Sequence, residues 1–341
     1  MYKWLIVAII SIFVLAFAFR QCTDSETYED SSAIVENVIN INDTINIGKE
    51  SEDSHLLSTE RLDLNLPYVT ADTSNVVLEV PRIIDPIPNQ ILKREGYTLS
   101  YNRTTKCANW VAWKLTKDHT DGIWSRKGLK YIEDIEAEYP RQEVWDWKIN
   151  PKRYDHGHMC PAGDNKWSQI AMEQSFLLTN MCPQNRHLNS GDWKELEEKC
   201  RDWANEYGEI YIVCGPIFYD GKRETIGGSK EIWVPDAFYK VVLCMKDKPK
   251  SIGFIYPNKG KHNPMEHYAV TVNDIEAHVG FDFFYSLADN IEEVIESKID
   301  LYLWLEGQDI DCTNEITGAQ VMANLQFSAG DQSQSGMQPV Y

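Results

Sequence analysis

The segment Tyr154-Asp-His-Gly-His-Met-Cys-Pro-Ala-Gly-Asp164 concentrates two histidines, a cysteine and two aspartates in eleven residues. On an extended segment, the side chains of His156, His158 and Cys160 share one face, because successive side chains alternate across a strand. A histidine on such a face acts as a base, as a metal ligand or as a buried structural residue. This segment alone leaves the three roles open.

Further polar segments follow at Leu178-Thr-Asn-Met-Cys-Pro-Gln184 and Leu188-Asn-Ser-Gly-Asp-Trp193. Ser190 or Asp192 is expected to cap the helix that comes next. In that helix Glu197 and Arg201 stand one turn apart on one face, and Asn189 lies at its entrance. A solvated ion pair and an ordinary cap would produce the same spacing, so the spacing does not decide for a metal site.

The charge of the chain is distributed unevenly. The 341 residues carry a formal net charge of −19, and 43% of them are hydrophobic, which excludes wholesale disorder and a basic protein that coats nucleic acid by charge alone. Residues 21–82 hold thirteen acidic and three basic residues, and residues 306–341 hold five acidic and no basic ones. The middle, 83–305, therefore has a net charge of only −6. An enzyme that meets a phosphate backbone through a metal ion remains compatible with this composition.

The N-terminus indicates export. Residues 4–19, fifteen apolar residues and Ser11, lie between Lys3 and Arg20, and Ala16-Phe17-Ala18 has the small-x-small form of a cleavage site. The run is slightly shorter than the roughly 17–25 residues that usually span a bilayer. We expect either a cleaved signal peptide or an uncleaved membrane anchor in residues 1–20, and hence a periplasmic, extracellular or membrane-anchored protein.

The rest of the chain divides into three parts. Residues 21–82 are expected to form an acidic disordered tether, and residues 306–341 a flexible tail. Residues 83–305 form one mixed α+β domain, with strands predicted at 209–214, 238–244 and 251–256 and helices near 107–117, 192–207 and 289–303. The eight cysteines permit disulfides in an exported chain, but their pairing cannot be read from spacing.

Three short motifs resemble one enzyme family. They are Asp155-His-Gly-His158, Thr179-Asn-Met-Cys-Pro-Gln184 and Leu188-Asn-Ser-Gly-Asp-Trp193. In order and spacing they are similar to the D-R-G-H, S/T-N-x-x-P-Q and L-N-x-G-x-W motifs of the DNA/RNA non-specific endonucleases, the family of Serratia nuclease and mitochondrial endonuclease G. Residues 104–117 resemble the first core segment of that family, so the likeness covers about 95–305. It implies an α+β fold with a mainly antiparallel sheet, packed helices and a ββα-metal motif.

The resemblance also implies a chemistry, the hydrolysis of DNA and RNA phosphodiester bonds to products with 5′-phosphate ends. His158 matches the general base, and Asn189 matches the protein ligand of a divalent ion, expected to be Mg²⁺ with Mn²⁺ or Zn²⁺ as alternatives. Asp155 is expected to orient this ligand. The other residues that match the family site are Asn180, Glu197, Arg201 and, upstream, the phosphate-contacting Arg126.

One position departs from the family motif, since His156 replaces the arginine of D-R-G-H. An imidazole is charged only below about pH 6.5, unlike a guanidinium. His156 either contacts phosphate when protonated, adds a second metal ligand, or weakens the site. The first reading predicts that activity declines as pH rises through the imidazole pKa.

Two other function classes fit parts of the sequence. In one, the domain is a catalytically weakened module in which His156, His158 and Cys160 chelate a structural transition metal. In the other, the chain is a cell-surface interaction protein whose working parts are the acidic tether and tail.

Overall fold

A seven-stranded antiparallel β-sheet forms the centre of the structure, a computed structural model that describes residues 77–219 and 221–304. In chain order the strands are β1 (Arg82–Ile83), β2 (Gln90–Lys93), β3 (Thr98–Asn102), β4 (Cys107–Thr116), β5 (Asp155–His158), β6 (Met181–Gln184), β7 (Glu209–Ile217), β8 (Thr225–Ile226), β9 (Ile232–Trp233), β10 (Ala237–Cys244), β11 (Lys250–Pro257), β12 (Ala269–Val270) and β13 (Phe281–Asp282). The large sheet has the order β12-β11-β10-β7-β4-β3-β2. The remaining strands pair as β1 with β13, β5 with β6 and β8 with β9.

Helices cover both faces of this sheet. They are α1 (Lys117–Thr120), α2 (Gln169–Gln174), α3 (Arg186–Ser190), α4 (Asp192–Tyr207), α5 (Val272–Val279), α6 (Asp289–Glu296) and α7 (Leu301–Trp304). On one face, α4 buries Trp193, Leu196 and Trp203 in a hydrophobic core. On the other face, α5 and α6 bury Ile275 and Ile291. Because apolar layers lie on both sides, every residue of β10 is buried.

The β5–β6 pair and helix α4 form the unit that carries the motifs. The two strands are antiparallel, with His158 opposite Met181 and Gly157 opposite Cys182. A Cβ at Gly157 would lie 2.4 Å from the side-chain oxygen of Gln184, so this approach of the strands requires glycine. The indole of Trp193 in α4 donates to the carbonyl oxygen of His158 at 3.3 Å. Two strands followed by a packed helix confirm the predicted fold class.

The helix predicted near 107–117 is wrong, because this segment is strand β4, paired with β3 and β7. Both faces of β4 are covered, so apolar residues occur at consecutive positions and the alternation of a half-exposed strand is missing. Its Val111 and two tryptophans, Trp110 and Trp113, are residues that favour strands.

The predicted helix at 192–207 is confirmed, but its predicted cap is wrong. Gly191 is the N-cap of α4, and no side chain caps the helix. The hydroxyl of Ser190 donates to the carbonyl of Arg186 instead. Asp192 accepts a hydrogen bond from Tyr268 at 2.8 Å and contacts His262. The helix predicted over 289–303 is interrupted, since α6 ends at Glu296 and α7 begins at Leu301.

The three predicted strands are confirmed as parts of β7, β10 and β11. The six described cysteines, Cys107, Cys160, Cys182, Cys200, Cys214 and Cys244, are free and buried. The predicted signal or anchor segment, most of the tether and the tail lie outside the described residues. Leu78, predicted to belong to the tether, is 1% exposed and packs in the core under α5 and α6. No helix within 77–219 or 221–304 has the length and apolar character that a membrane crossing requires.

Candidate active site

His158 lies at the end of β5 in an aromatic pocket and is 7% exposed. Its ring meets the edge of Phe176 at a centroid distance of 5.1 Å and lies 5.9 Å from the Tyr131 ring. Burial, reinforced by the positive charge of Arg126, lowers the pKa of His158 to about 3. The imidazole is therefore neutral at neutral pH, the state that a proton acceptor requires.

The two ring nitrogens of His158 are the atoms that could accept a proton. Nε2 is buried and has no hydrogen-bond partner among the described residues. A neutral imidazole carries a proton on one ring nitrogen and a lone pair on the other, so one of the two is an acceptor.

Asn180 fixes the backbone that follows His158. Its side-chain oxygen accepts from the Cys160 nitrogen at 2.9 Å, and its amide donates to the carbonyls of Cys160 and Ser175 at 2.8 and 2.9 Å. Its own carbonyl accepts from the Met159 nitrogen at 3.0 Å. With 0% exposure and all of these bonds internal, Asn180 is built into the scaffold of the site and does not face a substrate.

Asn189 lies in α3, opposite the start of β5. Its amide nitrogen donates to Asp155 Oδ2 at 3.2 Å, while Arg186 Nε donates to Asp155 Oδ1 at 3.3 Å. Because the amide nitrogen of Asn189 donates to Asp155, the amide oxygen is the atom of this side chain that could bind a cation. An amide oxygen beside a carboxylate is a donor set that suits a hard divalent cation such as Mg²⁺.

Glu197 and Arg201 lie on one face of α4, as their spacing predicts. Arg201 Nη1 donates to Asp164 Oδ1 at 2.9 Å, and Asp164 also accepts from the Trp113 indole at 3.1 Å. Burial raises the pKa of Glu197 to about 7, against the opposing charges of Lys240 and Arg201. Arg201 is thus held by Asp164, which lies outside the helix. The positive charge of Arg201 opposes the rise in the pKa of Glu197.

A cavity opens beside the β5–β6 pair. Its volume is about 470 Å³, and it is lined by Lys152, Arg153, Tyr154, Asn185, Arg186 and His187. Lys152 pairs with Glu224 at 2.6 Å, and Arg186 pairs with Asp155. Two of the basic side chains in the lining are thus paired with carboxylates.

His156 occupies a slot between two aromatic rings. Its imidazole stacks on Tyr131 at 4.0 Å and on Trp147 at 3.7 Å, both nearly parallel to it. Burial lowers the pKa of His156 to about 4 despite the nearby charge of Asp155. The imidazole is therefore neutral at neutral pH and covered on both faces. These two properties argue against the hypothesis that protonated His156 contacts phosphate.

Arg126, the upstream arginine, is brought to the same pocket. Its guanidinium lies 5.5 Å from the centre of the Phe176 ring, and Phe176 is the ring that meets His158 edge-on. Its positive charge acts on both His158 and Glu197. The loop that carries Arg126 is exposed, so this arginine can meet a ligand from solvent.

The proposed chelate of His156, His158 and Cys160 is wrong. Among the described residues their ligand atoms do not come together as a group that one ion could bridge, and Cys160 instead accepts from Asn165 at 3.3 Å. The described residues that do form such a group are Asp192, Glu195 and His262, at the start of α4. Within this group Asp192 contacts His262 and accepts a hydrogen bond from Tyr268.

Sequence reasoning missed several residues that shape the site. Asp164 stands in the first motif, yet nothing in its spacing indicated the bond to Arg201. Tyr131 and Trp147 come from the 121–150 segment, which has few regular elements and therefore no periodicity to interpret. Gly163 in the first motif is a sequence feature that fits this contact, because a Cβ at this position would lie 2.9 Å from Arg201 Nη1. Glycine permits such a close approach because it has no Cβ.

The chain is similar to known nucleases along most of its length. The family model for DNA/RNA non-specific endonucleases matches residues 84–290. The mitochondrial nuclease EXOG of Danio rerio is 32% identical over 244 residues, 66% of this chain and 71% of the relative. Nuclease C1 of Cunninghamella echinulata var. echinulata is 35% identical over 213 residues, 57% of this chain and 82% of the relative.

The fold is also similar to a solved structure. A crystal structure of the EndoG/EndoGI complex superposes with a TM-score of 0.57 at 25% sequence identity, and covers 61% of this chain and 90% of that one. The matched range 84–290 contains His158, Asn180, Asn189, Glu197 and Arg201. The chain therefore belongs to the DNA/RNA non-specific endonuclease family and is a nucleic-acid phosphodiester hydrolase.

Proposed function

We propose that this protein is a metal-dependent endonuclease that cleaves DNA and RNA without sequence preference, with His158 as the general base. The observation that supports this most directly is the buried Nε2 of His158. Its ring is neutral, and Nε2 has no hydrogen-bond partner among the described residues, which supports a role as proton acceptor. Phosphodiester hydrolysis needs such a group to remove a proton from the attacking water.

Asn189 is the proposed protein ligand of a divalent ion, with Mg²⁺ expected and Mn²⁺ or Zn²⁺ possible in its place. Asp155 supports this role, because its bond to the Asn189 nitrogen at 3.2 Å directs the amide oxygen outward. When bound, the ion neutralises charge on the phosphate and stabilises the leaving oxygen. A neutral amide ligand leaves most of the ionic charge for the substrate.

The other residues position the substrate and its water. Arg126 reaches the pocket from an exposed loop and offers a cationic contact for a phosphate oxygen. Glu197 is the acceptor that holds water near the ion, and Arg201 steadies the charge of Glu197 from its anchor on Asp164. Asn180 holds the backbone of the base in place. These contacts are made to phosphate oxygens and water and do not distinguish one base from another. Both DNA and RNA are therefore proposed substrates. The proposed products carry 5′-phosphate ends.

We assign His156 the role of a planar spacer. The family has an arginine here, and a guanidinium is also flat and stacks between aromatic rings. The imidazole keeps the slot between Tyr131 and Trp147 filled. The site is therefore complete without a cation at this position.

We also propose that the protein is exported and that residues 4–19 attach it to a membrane or direct its secretion. The support is the run of residues 4–19 between Lys3 and Arg20, which is apolar except for Ser11. A mature N-terminus found downstream of residue 18 would indicate cleavage, and an intact Met1 in the membrane fraction would indicate an anchor.

The test of the function uses plasmid DNA and a folded RNA with the wild-type protein and with Asn189→Ala. We expect wild-type cleavage of both substrates in Mg²⁺ and none in EDTA. Asn189→Ala should need a higher Mg²⁺ concentration or lose activity about 10²-fold or more. Wild-type cleavage that persists in EDTA, or an Asn189→Ala variant with unchanged Mg²⁺ dependence, contradicts the assignment. Arg103→Ala, on the turn between β3 and β4, is the matched control.

A further inference from the structure

Arg153 lies just before β5 and lines the cavity beside the β5–β6 pair. Two other basic side chains of this lining are paired, Lys152 with Glu224 and Arg186 with Asp155. Arg153 is exposed, and its guanidinium has no ion pair or hydrogen bond among the described residues. It therefore offers the cavity a positive charge that no carboxylate neutralises.

The backbone of Arg153 is held in a conformation that arginine seldom adopts. Its φ angle is 56°, in the left-handed region that favours glycine. Asn150 holds the turn, because its side-chain oxygen accepts from the Tyr154 nitrogen at 2.9 Å and its amide donates to the Tyr154 carbonyl at 2.7 Å. The carbonyl of Asn150 accepts from the Arg153 nitrogen at 3.0 Å. An arginine kept where glycine would be less strained points to a function for its side chain.

One carboxylate connects the cavity to the proposed metal ligand. Asp155 Oδ1 accepts from Arg186 Nε, which belongs to the cavity lining, at 3.3 Å. Asp155 Oδ2 accepts from the amide of Asn189 at 3.2 Å. The two oxygens of one side chain thus contact the cavity wall and the proposed metal ligand. A strand whose scissile phosphate lies at Asn189 can therefore place a neighbouring phosphate in the cavity.

The size and the free donors of the cavity suit one nucleotide unit of such a strand. Its volume of about 470 Å³ lies within the range of roughly 300–1,000 Å³ that is typical of small-molecule pockets. The guanidinium of Arg153 is a flat fork of N–H donors that matches the oxygens of a phosphate. A phosphodiester is thus the ligand chemistry that fits an unpaired arginine at this place.

We propose that Arg153 binds a substrate phosphate next to the scissile one, and that the cavity is a subsite for the strand backbone. This inference rests on the proposed function, because it concerns the same DNA and RNA substrates. It explains why the strained turn at 150–154 carries a cation whose charge is not neutralised by a neighbour.

The test replaces Arg153 by glycine, which removes the guanidinium and adopts the same φ angle without strain. The variant should therefore fold, with Tm unchanged or up to about 4 °C higher. On plasmid DNA in Mg²⁺ we expect kcat/KM to fall about tenfold through a higher KM, with kcat changed less than about threefold. The slope of log kcat/KM against log KCl concentration should become shallower by about one, since one phosphate contact is lost.

Substrate length separates a phosphate subsite from damage to the site. A dinucleotide with a single phosphate offers only the scissile group, so Arg153→Gly should cleave it within about twofold of the wild type. A single-stranded oligonucleotide of about 20 nucleotides has phosphates on both sides of the scissile group and should show the full loss. If the dinucleotide is cleaved too slowly to measure, the salt slope decides.

Two variants in the turn between β10 and β11 are the matched controls. Asp247→Gly makes the same backbone change at an exposed residue with a φ angle of 61°, and Lys248→Met removes an exposed positive charge. Both should match the wild type. An unchanged KM and salt slope for Arg153→Gly, or an equal loss on both substrate lengths, overturns the proposal. A wild-type protein that does not cleave plasmid DNA would instead refute the proposed function.

Discussion

His156 shows how one residue is understood only from its neighbours. In the sequence it is a replacement for arginine that could contact phosphate, bind a metal or weaken the site. In the structure it is stacked between Tyr131 and Trp147, and burial lowers its pKa to about 4. Tyr131 and Trp147 both lie outside the motif that contains His156. The spacing of residues within the motif therefore could not predict that the imidazole is stacked between two rings.

His156→Arg should therefore be tolerated. The guanidinium is flat enough for the slot, and a neutral imidazole contributes no charge that would be lost or gained across neutral pH. We expect kcat/KM within about threefold of the wild type and the same profile between about pH 6 and 8. Trp147→Ala, which removes one wall of the slot, should reduce activity more than His156→Arg. An activity that declines as pH rises through about 6.5 and recovers in His156→Arg would restore the cationic reading.

At the scale of elements, the sequence predicts helix α4 better than it predicts part of the sheet. The apolar face of α4 and the motif that precedes it predict the helix, and apolar runs predict strands β7, β10 and β11. Strand β4 was assigned to a helix because both of its faces are buried. The cap of α4 was missed because Asp192 bonds to Tyr268, a residue 76 positions away, and sequence rules consider only local partners.

Asp164 links α4 to the loop after β5, and its replacement by asparagine should loosen that link. The carboxylate pairs with Arg201 and accepts from Trp113, and it is 3% exposed. Loss of a charged hydrogen bond at a buried site should lower the free energy of unfolding by about 1.5–3 kcal/mol. The measurement is the urea midpoint at constant slope. Lys194→Ala, which breaks an exposed ion pair with Glu198 in the same helix, should change it by less than about 0.5 kcal/mol. Equal effects of the two variants would contradict the assignment.

Glu296 makes the stability of the α6 region depend on pH. Burial, with Glu276, Glu292 and Asp282 adding negative charge, raises its pKa to about 9. Between the ordinary pKa of glutamate and this value the folded protein binds more protons than the unfolded chain, so its stability falls as pH rises through that window. Glu276 and Glu292 also have pKa values raised to about 7. Glu296→Gln should therefore weaken this dependence and raise Tm at about pH 9 by roughly 2–4 °C relative to the wild type, with little effect at about pH 4. A Tm gain that is the same at both pH values would show that ionisation is not the cause.

At the scale of the whole molecule, the acidic excess and the proposed site residues belong to different parts of the sequence. Residues 21–82 and 306–341 carry most of the net charge, whereas the proposed site residues lie between Arg126 and Arg201. A cavity of about 470 Å³, lined in part by Lys152, Arg153 and Arg186, adjoins the site. The composition excludes a protein that coats nucleic acid by charge alone, but it does not exclude an enzyme that meets the phosphate backbone through a metal ion.

A chain that begins at Val77 should therefore keep the enzyme intact. It retains Leu78 in the core and the pairing of Arg82 with Asp282. We expect kcat/KM within about threefold of the full chain. A chain that begins at Ile83 should be less stable by about 2 kcal/mol, since it loses the buried Leu78. Loss of nuclease activity in the Val77 chain, with the fold intact by circular dichroism, would favour an interaction protein that works through the tether.

The central claim is that His158 removes the proton from the attacking water. The most direct measurement compares His158→Ala with the wild type on supercoiled plasmid DNA in Mg²⁺, with His267→Ala, an exposed histidine, as the control. We predict a fall in kcat of about 10²–10⁴-fold for His158→Ala, with Tm confirming that it is folded, and no change for the control. Cleavage by a folded His158→Ala variant within tenfold of the wild-type rate would contradict the account.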